Sequence, residues 1–434
     1  MKNKFLILIL VLWSASPAWA NDNIFDTYFG QDGQVIKSIV DAQEDRGEVA
    51  AIDSKGRFYV AGVAGIPDNI DFFVARYLPD GKPDLSFGKE GIVIHDLGGE
   101  DHVHGLAVSP KGIVYVAGYV KKDKRADFAV LSLNSDGSLN ESFGRHGVSL
   151  TKLDGWAEAH FAAVLADGAL LAAGFVEKNG DSDLALVKYL PDGNTDASFA
   201  KDGVMILDWT RKDRLYGLTL TSKLRSQKIL VTGSAMNAGS GEDCLVAEYN
   251  LDGTRNKDFG FGGFSLVSFG VYQDVCSSVD VTKNGQIIVA GYRNNKEGTN
   301  ADFAVARLKS NGVIDTSFGR DGYKMLDFDG GIDVAHALTE LPNGDLLVIG
   351  ESEVSSSTGK QVHFSGYRLN SQGLPVLNWG TNGKMMTTFA QGFPEVGLGL
   401  VMDKKGNVLV VGQAQDNMAL LKVLTVEDKK KKTH

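Results

Sequence analysis

Residues 302–328 read DFAVARLKSNGVIDTSFGRDGYKMLDF, and versions of this stretch recur along almost the whole chain. The aromatic residue of its SFG element recurs seven times, at intervals of 56 to 61 residues, at Phe29, Phe87, Phe143, Phe199, Phe259, Phe318 and Trp379. A glycine that closes a VAG-like element recurs equally often, at Gly62, Gly118, Gly174, Gly233, Gly291, Gly350 and Gly412. Two independent markers therefore count seven repeats of one structural unit.

Each repeat contains four short apolar or alternating runs that are separated by turn residues. In the second repeat the runs are HGLAV (104–108), IVYVAGY (113–119), DFAVLSL (127–133) and GVSLTKL (147–153). Asp-Gly pairs recur in the connectors, where glycine adopts a positive φ without steric penalty. Because no segment sustains a period of 3.6 residues, the chain is predicted to be all-β.

The second run of each repeat is almost entirely apolar, so the strand that it forms must be covered on both faces. Four-stranded antiparallel sheets stacked around an axis provide this cover and leave only short edges. We therefore predict a seven-bladed β-propeller with four antiparallel strands per blade. The chain ends after a third-strand copy, NMALLKVL (417–424), so an N-terminal strand near residues 33–39 is predicted to join the last blade and close the ring.

The ends of the chain have a different composition from the repeats. Residues 1–20 are predicted to be a signal peptide, with a basic start, a short apolar run and an Ala-Trp-Ala cleavage site at 18–20. Residues 21–426 form the predicted propeller, and the basic tail at 427–434 is expected to be disordered. No apolar stretch is long enough for a membrane helix. The prediction is an exported monomer, periplasmic or extracellular.

The combination of DFAVARL, DGxxDxSFGxxG and GxIVVAG motifs resembles the Delta-60 repeat family, over roughly residues 24–424. The resemblance implies a β-propeller of unknown function in an exported bacterial protein, and it carries over no catalytic residues. The sixth repeat departs from the pattern, since His363 replaces the opening Asp and Trp379 replaces the Phe.

Composition and motifs exclude several functions. The formal net charge is −10, which argues against a nucleic-acid partner because phosphate binding needs a clustered basic face. The chain has no G-x-S-x-G, H-E-x-x-H or C-x-x-C motif. Cys244 and Cys276 fall in adjacent repeats. Export permits a disulfide between them, and two separate buried thiols are equally compatible with the sequence.

An acidic residue precedes the first strand in six repeats, at Asp45, Asp101, Asp213, Asp274, Asp333 and Glu395. If this strand is innermost, the acids are expected to ring one mouth of the central channel. Two interpretations stay open. Each acid accepts backbone N–H groups in its own turn, or the acids together form a funnel for a cation or a basic ligand, with mutual repulsion raising pKa values.

Three residues further on, the equivalent position varies among the repeats, which is where a specific site would differ from a repeated scaffold. It holds Glu48, His104, His160, Tyr216, Ser277, His336 and Leu398. His104, His160 and Tyr216 are candidate catalytic residues. Glu48, His104 and His160 are candidate ligands of zinc or a similar metal. Polar residues that only line a water-filled channel are the alternative.

A further acidic cluster, in DFDGGID at 327–333, offers Asp327, Asp329 and Asp333 as candidate calcium ligands, although an ordinary solvated turn also explains it. No cofactor is predicted from the sequence, and a divalent cation, calcium or zinc, is the alternative that these residues leave open.

The favoured function is a non-catalytic binding module for a protein or an envelope polysaccharide. The alternatives are a lyase or hydrolase with its site at the channel mouth, or a calcium-stabilised structural protein. Convergent His, Tyr and carboxylate side chains in a pocket would favour an enzyme, and a channel closed by apolar side chains would favour the binding module.

Overall fold

The computed structural model describes residues 24–40, 44–66, 69–208, 214–221, 227–237, 241–270, 272–295, 299–328, 330–356, 359–387, 395–414 and 416–425. These residues form twenty-eight strands in seven four-stranded antiparallel sheets, which confirms the predicted seven-bladed β-propeller. The predicted signal peptide and the tail at 427–434 lie outside them. Among these residues, no helix has the length and hydropathy that a membrane span requires.

Blades 1 to 3 follow one another along the chain, each with its first strand innermost. Blade 1 contains β2 (Glu44–Ile52), β3 (Phe58–Ile66), β4 (Asn69–Tyr77) and β5 (Ile92–His95). Blade 2 contains β6 (Glu100–Val108), β7 (Val114–Lys122), β8 (Arg125–Leu133) and β9 (Val148–Thr151). Blade 3 contains β10 (Trp156–Val164), β11 (Leu170–Lys178), β12 (Asp181–Tyr189) and β13 (Val204–Leu207).

Blades 4 to 6 repeat this order, and blade 7 takes its outer strand from the N-terminus. Blade 4 contains β14 (Arg214–Leu220), β15 (Lys228–Asn237), β16 (Gly241–Asn250) and β17 (Phe264–Val267). Blade 5 contains β18 (Asp274–Val281), β19 (Ile287–Asn294), β20 (Ala301–Leu308) and β21 (Tyr323–Leu326). Blade 6 contains β22 (Asp333–Glu340), β23 (Leu346–Ser356), β24 (Gly359–Leu369) and β25 (Lys384–Thr387). Blade 7 contains β26 (Glu395–Met402), β27 (Val408–Ala414), β28 (Asn417–Val423) and β1 (Gln34–Lys37).

The SFG element recurs because it joins neighbouring blades. Its aromatic side chain is buried, and Phe87 packs edge-on against Tyr59 with ring centroids 5.8 Å apart. The glycine that follows has a positive φ, 52° at Gly88, which favours glycine. The Gly88 N–H donates to the carbonyl of Asp136 in the Asp-Gly turn of the next repeat, at 2.8 Å. The Phe of the SFG element packs in the core between blades, and its Gly forms the turn that bonds to the next blade. Both residues therefore recur in each repeat.

The N-terminal strand closes the ring, as predicted. β1 pairs antiparallel with β28, from Gln34 opposite Leu421 to Lys37 opposite Met418. Upstream of it, Phe29 is fully buried within the core between blades 7 and 1. The first and last described segments are therefore held in one sheet.

Cys244 on β16 and Cys276 on β18 form a disulfide that links blades 4 and 5. The bridge closes a segment with a sequence separation of 32 residues, so the chain-entropy model gives it about 3 to 4 kcal/mol of stabilisation. We expect the free energy of unfolding of the C244A/C276A variant to be lower by that amount, so that it unfolds at a lower denaturant concentration. Denaturant titration under oxidising conditions measures it, and an unchanged free energy of unfolding would contradict the expectation.

Candidate ligand-binding site on the inner strands

The variable position three residues after the acid is a β-bulge in every blade. The pairing of the inner strand with its neighbour shifts by one residue across that position, for example between Val103 and Gly105 in blade 2. The same shift occurs in the other six blades. A bulged residue has no partner on the adjacent strand, and bulges often re-aim a side chain beside a functional site. The position that varies among the repeats is therefore the bulge position of the inner strand, which is not paired with the adjacent strand.

The glycine of the VAG element recurs because of this bulge. A Cβ atom on Gly118 would lie 1.8 Å from the carbonyl oxygen of His102, which no side chain tolerates. The equivalent distance is 1.8 or 1.9 Å at each of the other six VAG glycines. The scaffold thus requires glycine on the second strand wherever the first strand carries a bulge.

The acid at the start of the inner strand is a buried hydrogen-bond acceptor. Asp213 lies outside the described residues. The other five predicted acids are all 0% exposed, namely Asp45, Asp101, Asp274, Asp333 and Glu395. Oδ2 of Asp101 accepts the Leu97 N–H at 2.6 Å, and Oδ2 of Asp274 accepts the Phe269 N–H at 2.6 Å. These contacts fit the interpretation in which each acid accepts backbone N–H groups in its own turn, and they hold the inter-blade loops, which join the outer strand of one blade to the inner strand of the next. The ring of acids around a channel mouth stays a prediction.

The free energy of unfolding is expected to depend on pH through Asp274. Burial raises the pKa of Asp274 from 3.8 to about 6, so the folded protein holds this proton more tightly than the unfolded chain. As the pH rises from about 4 to about 6, the free energy of unfolding is expected to fall by up to about 3 kcal/mol through this group. Asn keeps the acceptor oxygen but does not ionise, so D274N should gain stability relative to the parent at pH 8 and lose that gain at pH 4.

Denaturant titrations of D274N at pH 4, 6 and 8 check this, with the exposed acid variant D258N as control. A stability difference between parent and D274N that does not change with pH would contradict the assignment.

His104 and His160 come together from neighbouring blades. Their rings stack with centroids 4.5 Å apart. Nε2 of His160 lies 3.1 Å from Oε2 of Glu158, whose Oε1 accepts the Trp156 indole N–H at 2.6 Å. Burial, reinforced by the nearby His160 and His102, holds the pKa of His104 well below its usual value. Burial alone would raise the pKa of Glu158, but the hydrogen bonds from His160 and Trp156 outweigh it and lower that pKa.

Glu48 takes less part in this pair than predicted. Its Oε1 accepts the Arg46 Nε–H at 2.5 Å, and its Oε2 lies 4.0 Å from Nδ1 of His104. The ligand atoms that lie within 4.8 Å of one another belong to His104, Glu158 and His160. Glu158 thus replaces Glu48 in the candidate metal set. Two imidazoles and one carboxylate are a donor set that fits zinc.

The candidate calcium ligands are brought together only in part. Asp327 and Asp333 lie within reach of one ion, and the third carboxylate beside them is Asp302 on β20. Asp329 lies outside the described residues.

An open cavity of about 410 Å³ lies where blades 3 and 4 meet. It contains two of the three predicted catalytic residues, and its lining consists of Trp156, Glu158, His160, Phe175, Glu177, Arg214 and Tyr216. The third candidate, His104, reaches the cavity only through its stack on His160. Because β10 begins at Trp156, the cavity opens on the face that carries the loops between second and third strands.

Cationic, aromatic and acidic groups alternate in the wall of this cavity. The Arg214 guanidinium carbon lies 5.8 Å from the centroid of the Phe175 ring, a cation–π distance, and Arg214 Nη2 lies 4.0 Å from Oε2 of Glu177. Burial raises the pKa of Tyr216, and the nearby Arg214 only partly offsets this. Tyr216 is thus a neutral phenol at pH 7, able to donate or accept a hydrogen bond.

The position two residues before the bulge divides the ring into a polar and an apolar half. Blades 1 to 4 carry Arg46, His102, Glu158 and Arg214 there, whereas blades 5 to 7 carry Val275, Val334 and Val396. The predicted site residues do not include Arg46, Glu158 or Arg214. The signal that identifies them is this change from charged or polar residues to valine along an otherwise regular repeat.

Three segments of the chain, residues 56–87, 165–199 and 282–318, match the model of a family described as a domain of unknown function (DUF5122) beta-propeller. The match supports a β-propeller repeat family of unknown function. The more specific Delta-60 resemblance stays a prediction. No curated protein matches the chain in sequence.

Solved structures share the architecture at very low sequence identity. Drosophila Semaphorin 2a is 8% identical, with a TM-score of 0.50 over 89% of this chain and 75% of that one. The polysaccharide lyase Uly1 is 11% identical, with a TM-score of 0.47 over 87% and 89%. Sqt1 of Chaetomium thermophilum, bound to the N-terminus of ribosomal protein L10, is 11% identical, with a TM-score of 0.44 over 89% and 99%. At such identities only the fold is shared, and it supports many functions.

Proposed function

We propose that this protein is an exported, non-catalytic binding module and that it binds a polysaccharide in the cavity between blades 3 and 4. The observation that carries the proposal is the lining of that cavity. Trp156 and Phe175 supply flat apolar surfaces, and Glu158, Arg214 and Tyr216 supply hydrogen-bonding groups around them. A sugar ring has the complementary chemistry, since its C–H face packs on an aromatic ring while its hydroxyl groups bond to the polar rim.

The size and charge of the cavity favour a polysaccharide over a protein. A volume of about 410 Å³ lies in the range of small-ligand sites, whereas a stable protein interface covers about 800 Å² on each partner. The chain carries a net charge of −10, and two of the lining residues are carboxylates. This field disfavours a highly acidic polymer and favours a neutral or amino-sugar polysaccharide.

A second candidate, a lyase or hydrolase, draws support from the convergence of His160, Glu158 and Tyr216. The contact of Glu158 with His160 at 3.1 Å is of the kind that orients a general base. The raised pKa of Tyr216 suits an acid better than a base. A polysaccharide that is bound but not cleaved therefore distinguishes the leading proposal from this one.

The test uses the full mature protein, immobilised and exposed to the envelope fraction of the producing cell. Periodate, which cleaves vicinal diols of sugars, should abolish retention of the bound material, and protease should leave it intact. The reverse result would indicate a protein partner and overturn the proposal. Release of new reducing ends, or of unsaturated products, from the retained polysaccharide would replace the binding module with the enzyme.

A further inference from the structure

Three carboxylates from separate parts of the chain meet between blades 1 and 2. They are Asp71 on β4, Asp96 in the inter-blade loop and Asp101 on β6, and one oxygen from each lies within 4.8 Å of the others. An equivalent triad of Asp302, Asp327 and Asp333 lies between blades 5 and 6. In both, the loop carboxylate is exposed and the inner-strand carboxylate is fully buried. Among the described residues, two blade interfaces therefore repeat the same arrangement.

The other blades show what the scaffold needs at this place. Between blades 4 and 5 the loop position is Ser268, whose hydroxyl donates to the Gly270 carbonyl at 2.6 Å and lies 3.4 Å from Oδ2 of the buried Asp274. Asp96 and Asp327 occupy that position in the two triads, immediately before the loop residue whose N–H binds the buried acid. A neutral hydroxyl is thus replaced by a third negative charge. Such a replacement weakens the scaffold unless a cation compensates it.

Buried oxygen atoms inside the first triad also lack a donor. Asp101 uses Oδ2 to accept the Leu97 N–H, while its Oδ1 is buried and, within the described residues, has no hydrogen-bond partner. Oδ1 of Asp71 is likewise buried and, within the described residues, has no hydrogen-bond partner. A buried carboxylate oxygen without a partner carries a desolvation cost that a bound cation removes.

From these observations we propose that the two triads bind Ca²⁺, one ion between blades 1 and 2 and one between blades 5 and 6. An all-carboxylate set is the ligand chemistry of a hard cation, and calcium takes six to eight oxygens in flexible geometry. The exposed Asp96 and Asp327 leave room for water to complete the coordination. Each ion would bind groups of two adjacent blades and stabilise their contact.

The first triad is expected to bind more tightly than the second. In the second, Arg293 Nη2 lies 3.5 Å from Oδ2 of Asp302 and competes with a cation for it. Among the described residues, no lysine or arginine forms an ion pair within 4.0 Å of Asp71, Asp96 or Asp101.

The test is a calorimetric titration of CaCl2 into chelator-treated full-length mature protein. We expect each of the two triads to bind one ion, and each bound ion to raise the Tm by about 3 °C at a calcium concentration 100 times its Kd. D96S should remove the tighter binding event, D327S the weaker one, and the double variant both. Serine is the residue that blade 5 uses in this loop, so the variants should fold.

The matched control is D154S, which removes an exposed acid from the loop between blades 2 and 3, where Ala157 replaces the buried acid. It should keep both binding events. The proposal is overturned if millimolar CaCl2 gives neither heat nor a Tm shift with the parent protein. It is equally overturned if D96S/D327S still binds two ions, or if D154S loses them.

Discussion

Removal of residues 21–40 is expected to abolish cooperative folding, whereas removal of residues 427–434 should leave the melting temperature unchanged. The first deletion takes away β1, which pairs with β28 through four residue pairs from Gln34–Leu421 to Lys37–Met418. It also removes the fully buried Phe29 from the core between blades 7 and 1. Loss of a single core Phe costs about 3 to 5 kcal/mol, and the opened ring and the unpaired strand edge add to that. The sum is comparable with the whole stability of a typical domain.

Two adjacent residues of β1 provide a matched pair for a milder form of this experiment. Val35 packs against the buried cluster between blades 7 and 1, while Ile36 faces solvent and is 38% exposed. V35D should therefore lower the melting temperature much more than I36D, as calorimetry or circular dichroism would show. Equal effects of the two substitutions, or a 21–40 deletion that melts like the parent, would be incompatible with closure by this strand.

Substitution of Trp156 by alanine is expected to weaken polysaccharide binding by about 30-fold or more, the loss typical of a central aromatic contact. The indole is the largest aromatic side chain among the lining residues, and its N–H donates to Glu158 at 2.6 Å, so the substitution removes a packing face and frees a polar neighbour. R214A should weaken binding less than W156A does, because the Arg214 side chain is exposed to solvent whereas Trp156 is half-buried. Phe261, an aromatic residue that is 84% exposed and outside the cavity, provides the control F261A.

The sequence repeat predicts the blades because each repeated residue is required by the local structure of a blade. Phe87 fills the space between sheets, Gly88 makes a turn that bonds to the next repeat, and Gly118 makes room for the bulge. These structural requirements recur in every blade, so the number of repeated aromatic and glycine residues equals the number of sheets. Closure by β1 follows from the missing fourth strand at the C-terminal end of the last repeat.

The site was predictable only where one repeat position differs from its equivalents. His104, His160 and Tyr216 emerge from that comparison, and the structure shows them as bulge residues. The contact between Glu158 and His160 depends on the directions in which their side chains point at the bulge. Those directions cannot be predicted from the spacing of the two residues in the sequence. The Asp71–Asp96–Asp101 triad joins the third strand of one blade, a loop and the first strand of the next, so its members become neighbours only in the folded ring.

An affinity titration tests directly whether the cavity between blades 3 and 4 binds a polysaccharide. Oligosaccharides released from the retained envelope material are titrated into the parent protein, W156A and F261A, with the melting temperature of each recorded beforehand. We expect saturable binding to the parent and to F261A. Binding to W156A should be about 30-fold weaker, with its melting temperature unchanged. Equal affinity of the parent and W156A, or no binding of oligosaccharide to the parent, would contradict it.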